Sequence, residues 1–139
     1  MSGATYYKFN MELPMLWVNL KETDLHPEFF DNDKLADIII SKGDVQNKET
    51  NVKANMTGWR LDLEHEEVNT LANKAIELAS DIRKSFSQID YYTRSCWGAS
   101  YTKGQYTDEH AHWPCLYSWC YYVKAPKGSS PLIFTEGNI

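Results

Sequence analysis

Between Glu66 and Ser87 the apolar residues Val68, Leu71, Ala75, Leu78, Ile82 and Phe86 recur at steps of three and four. That spacing lays one stripe along an α-helix and predicts a core-packing helix. Lys74, Glu77, Asp81 and Lys84 fall on its other faces. A second helix is predicted from Asp31 or Asn32 to about Lys42. A short polar side chain there caps the first turn, Leu35, Ile38 and Ile39 share a face, and Gly43 stands at its end.

After Ile89 the texture changes. Tyr91 to Thr93, Cys96-Trp97, Tyr101, Tyr106, Leu116 to Val123 and Leu132 to Phe134 are aromatic, apolar and in part β-branched, and read as strands. Gly98, Lys103-Gly104, Pro114 and Pro126 to Pro131 punctuate them. Upstream, Pro14 to Leu20 reads as a further strand, and Lys48 to Trp59 as extended chain or loop. Helices first and strands later argue for an α+β domain rather than alternating βαβ units. A length of 139 residues fits one domain, 1–139, with 1–90 as helical and strand support.

The charge balance, 14 basic against 19 acidic residues with no basic block, argues against a nucleic-acid partner. No apolar run reaches the ~20 residues of a spanning helix, so no membrane partner is expected. Three cysteines do not make a disulfide framework, and residues 1–10 lack a signal-peptide pattern. A soluble protein of the reducing cytoplasm is the expectation.

Gly104 to His112 carries the chemistry. Successive side chains alternate faces along a strand, so Tyr106, Asp108, His110 and His112 would point one way. Two imidazoles at i and i+2 can then reach one ion, and imidazole suits Zn, Cu, Fe and Ni. Half of the four histidines fall within three residues. The competing reading of the bare pair is two solvated histidines near a strand end.

Around the pair stand Tyr101 to Tyr106, His110-Ala111-His112-Trp113-Pro114, Ser118 to Val123 and Ala125 to Phe134. Asn51-Val52-Lys53 and Thr57-Gly58-Trp59 lie upstream. In this pattern the chain resembles the iron(II)- and 2-oxoglutarate-dependent oxygenases, specifically the prolyl 4-hydroxylase-like group and its phage and marine-bacterial relatives. The detailed resemblance covers about Trp97 to Phe134. It implies a double-stranded β-helix, or jelly roll, with 91–139 as its first part. It implies Fe(II), 2-oxoglutarate and O₂ as cofactor and co-substrates, and hydroxylation of a C–H bond in a peptide or small molecule. Were the chain phage-encoded, its compartment would be the host cytoplasm.

The resemblance makes His110 and His112 metal ligands. The family's usual His-x-Asp is His-x-His here, so either His112 takes the carboxylate's place or Asp108 supplies one. Tyr122 matches a position whose phenol hydrogen-bonds the co-substrate, and Tyr101 would line the pocket. Tyr122 reads equally as a sheet aromatic, and Tyr101 as a residue that simply fills core. The family's last His and its carboxylate-pairing Arg or Lys lie further downstream than Ile139, so the jelly roll is expected to be incomplete in this sequence.

Three rivals remain. A cupin would need a Glu three or four residues past His112, and Trp113 to Tyr117 contains no acid. A structural zinc module could use Cys96, His110, His112 and Cys115, at spacings foreign to common zinc fingers. A non-enzymatic β-sandwich binding protein would use its Tyr and Trp as a contact surface.

Overall fold

The computed structural model describes residues 15–20, 31–44, 50–82 and 90–135. Its elements are α1 (Asn32–Lys42), β1 (Val52–Lys53), β2 (Asn55–Met56), α2 (Leu61–Glu64), α3 (Glu66–Ile82), β3 (Ala99–Ser100) and β4 (Tyr106–Thr107). Helices and small antiparallel sheets make an α+β protein.

Helix α1 forms where the sequence places it. The Asp31 carboxylate accepts from the amides of Asp33 and Lys34 at 2.9 and 3.1 Å. This satisfies two of the donors that a helix leaves unpaired at its start. The Gly43 amide closes the other end on the Ile39 carbonyl at 3.0 Å. Helix α3 begins at Glu66 as expected and is described to Ile82, and Ser87 lies outside the described residues. Val68, Leu71 and Ala72 are its buried residues, whereas Ala75 is half-buried, so the apolar stripe is centred toward its first two turns.

The segment 52–56, expected to be extended chain or loop, buries every second residue: Val52, Ala54 and Met56. It pairs antiparallel with two successive partners. Val52 and Lys53 face Thr107 and Tyr106, while Asn55 and Met56 face Ser100 and Ala99. Ala54 alone separates the two ladders on this side. On the other side Tyr101 to Gln105 loops out through a turn in which Gly104 has φ +87°, a conformation that glycine adopts without steric cost. Further along, Thr57 bonds Gly98, and Leu61 and Trp59 bond Cys96, at 2.9–3.0 Å. These bonds seat the start of α2, an element that the sequence pattern does not predict.

One core cluster gathers Leu35, Ile38, Leu61, Val68, Ala72 and Cys96, with Ile39, Tyr121 and Val123 packed against it. A second joins Val52, Ala54 and Met56 to Trp97 and Ala99. The Tyr121 hydroxyl donates to the Asn32 side chain at 2.8 Å, and Lys124 pairs with Asp33 at 2.5 Å. Residues 121–124 therefore dock on the start of α1.

Several expected strands are not strands. Residues 15–19, Tyr91 to Thr93, Leu116 to Val123 and Leu132 to Phe134 join no ladder among the described residues. Apolar and aromatic character makes such segments suited to a sheet, but a strand exists only with a hydrogen-bonded neighbour. The two described sheets hold two strands each and do not close.

Candidate metal centre

Strand β4 ends at Thr107, and the next residue is fixed from β1: the Asp108 amide donates to the Asn51 carbonyl at 2.8 Å. Lys53 and Tyr106 are cross-strand partners and share a face. The Asp108 carboxylate lies 3.8 Å from the Lys53 ammonium. Beyond this point the chain leaves the ladder. His110 turns back so that its Nδ1 meets the Asp108 carbonyl at 2.8 Å. Its Nε2 then lies 3.0 Å from Nε2 of His112. The two rings are 4.7 Å apart at 64°, and both are exposed.

A carbonyl only accepts, so Nδ1 of His110 must carry the hydrogen and Nε2 of the neutral ring keeps its lone pair. That lone pair faces His112, whose Nε2–H can donate to it. Desolvation, and then the neighbouring His110, hold His112 below the usual imidazole range, which favours its neutral form. The shared hydrogen between two nitrogens is the position an ion would take. Metal-bound histidines commonly anchor their second nitrogen on a carbonyl, as His110 does here.

The spacing also fits. With metal–nitrogen bonds of about 2.1 Å, nitrogens about 3.0 Å apart subtend roughly 90°. The arrangement can supply two cis imidazoles to one ion and leave its other positions to ligands that are not these two rings.

The remaining candidate residues lie as follows. Among the described residues, no group of three or more His, Cys, Asp or Glu side chains gathers as a metal cage. Asp108 stands beside the pair, with its carboxylate turned to Lys53. The Glu109 carboxylate accepts from the Thr135 hydroxyl. Tyr101 bonds the Thr107 hydroxyl at 2.6 Å, closing the looped-out turn. Tyr122 is 44% exposed between Tyr121 and Val123, which face the core. Cys96 is buried in that core, and burial, with Asp62 adding to it, pushes its thiol up to about 11. Cys115 is exposed. The four residues of the zinc-module reading are therefore dispersed between core and surface. Lys53 and the Asn51 carbonyl are the contributors that spacing could not find, because they reach Asp108 through a pairing more than fifty residues apart in sequence.

No protein-family model, curated protein or solved structure matches the chain.

Proposed function

We propose that this chain is an oxidoreductase of the iron(II)- and 2-oxoglutarate-dependent dioxygenase type, with His110 and His112 holding the iron on one edge of a jelly roll. The observation that carries the reading is the convergence of the two Nε2 atoms at 3.0 Å with the first ring anchored through Nδ1. Two imidazoles with neighbouring positions left open suit non-haem iron that must also take up a co-substrate and O₂. When bound, the iron supplies the oxygen chemistry: 2-oxoglutarate is oxidised to succinate and CO₂ as a substrate C–H bond is hydroxylated.

The chain's own residues do the holding and orienting. Asp108, its amide tied to Asn51 beside the β1–β4 ladder, presents the carbonyl that sets the tautomer of His110, and His112 enters the pair with its neutral form favoured. Tyr101 and Tyr122 remain the proposed co-substrate neighbours, and a peptide or small molecule the substrate. Among the described residues, no helix is long and apolar enough to cross a membrane.

The test is calorimetric titration with Fe(II) under anaerobic conditions, then with 2-oxoglutarate, followed by succinate measurement in air. Fe(II) binding at one ion per chain, a second isotherm for the keto acid and succinate release support the reading. Unchanged metal binding in His110→Ala and His112→Ala would remove it. Metal binding without any keto-acid isotherm would leave a metal-binding β protein.

A further inference from the structure

Asp108 occupies the junction between the paired strands and the imidazole pair, and all three of its polar groups are engaged. Its amide is tied to Asn51, its carboxylate faces Lys53, and its carbonyl takes the hydrogen of His110 Nδ1. Only the last of these touches a metal-binding ring. We propose that Asp108 is a positioning residue acting through its main-chain carbonyl, holding His110 in the one tautomer that aims Nε2 at the ion, and is not itself a ligand.

The inference rests on the reading of His110 and His112 as a metal pair, and it changes what the side chain is for. A carboxylate ligand would have to leave Lys53 and swing toward the rings. The carbonyl needs no such movement, because it already meets Nδ1 of His110 at 2.8 Å, on a residue whose amide is tied to Asn51. Partners of this kind fix ring orientation and tautomer, and losing one typically weakens metal affinity about 10–100-fold. The Lys53–Asp108 pair is exposed on both sides and contributes little by itself. The main-chain contact is therefore the effective one.

Three measurements decide it: zinc affinity as the metal probe, the ¹⁵N spectrum of the His110 ring in the metal-free protein, and circular dichroism as the fold control. Asp108→Ala keeps every main-chain atom and should bind zinc within about threefold of the wild type, with His110 still carrying its hydrogen on Nδ1. Asp108→Pro removes the amide that bonds Asn51; it should lose about tenfold or more and show mixed His110 tautomers. Loss in Asp108→Ala as large as in His110→Ala would make the carboxylate a ligand and overturn the proposal, leaving the metal pair intact. A wild-type spectrum with the hydrogen on Nε2 would overturn it without recourse to any variant. Should His110→Ala and His112→Ala bind zinc unchanged, the underlying metal pair fails, a separate outcome from either of these.

Discussion

Cobalt(II), offered in place of the proposed iron, reads the geometry of the imidazole pair directly. For nitrogen bonds of about 2.0–2.1 Å, a right angle at the ion requires nitrogens about 2.9–3.0 Å apart, and a tetrahedral angle about 3.3–3.4 Å. The observed Nε2 separation is 3.0 Å. A tetrahedral centre would therefore need the rings opened by a few tenths of an ångström, against the Nδ1 anchor on Asp108. Co(II) bound to the purified chain is expected to be six-coordinate, filling its other positions with water, and to give the pale visible bands of that geometry. Addition of 2-oxoglutarate should perturb those bands without intensifying them to tetrahedral strength. Intense visible absorption with a thiolate-to-cobalt band would refute the reasoning, since it would mean that cysteine thiolates join the pair, as the zinc-module reading requires of Cys96 and Cys115. Cys96 would first have to leave a core in which it is 5% exposed.

Leu61 is 2% exposed in the main cluster and Leu63, on the same short helix, 70%. Leu61→Ala should cost about 2–5 kcal/mol in denaturant unfolding, and Leu63→Ala within about 0.5 kcal/mol of nothing. At Gly98 an added Cβ would stand 2.5 Å from Cγ1 of Ile39. Gly98→Ala should therefore destabilise by about 1–3 kcal/mol, and a double-mutant cycle with Ile39→Ala should recover part of that loss; strict additivity would mean that the two do not meet. The Cys96 thiol, pushed up to about 11 from an ordinary value of 9.0, keeps its proton in the folded state while the unfolded chain releases it. Its contribution is whole below about pH 9 and is lost as pH rises toward 11, a decline of up to about 3 kcal/mol. The wild-type stability curve should be steeper over that window than that of Cys96→Ala, and parallel curves would contradict this.

What the sequence disclosed divides by the range of the interaction responsible. Helix α1 is set by neighbours within one turn, an aspartate that caps and a glycine that follows, and those are visible in the string of letters. Helix α3 likewise follows from its own periodicity. The tie between His110 and the Asp108 carbonyl spans two residues, so the convergence of the pair was open to inference, although the reason differs from the one the spacing suggests. A regular strand would carry both rings out on one face, yet the regular strand stops at Thr107, and the rings meet because His110 folds back on Asp108. The role of Asp108 could not be read in this way. Whether its carboxylate or its carbonyl serves the ring depends on where Asn51 and Lys53 lie, and nothing near Asp108 in sequence encodes that pairing.

The same division explains the expected strands that form no ladder. Leu116, Ile133 and Phe134 have the character of sheet residues and are 70, 73 and 67% exposed. Composition reports that such residues suit a half-buried pleated surface, but burial and pairing are properties of two segments together. Tyr121 and Val123 show the contrast within a single run. They pack on the main cluster because α1 offers Asn32 and Asp33 beside it, and their neighbour Tyr122 stays half in solvent. A residue's chemistry therefore limits where it can be placed, while its partner decides where it is placed. At the imidazole pair the partner is a backbone carbonyl, a group every residue carries, so no side chain in the sequence announces its contact with His110.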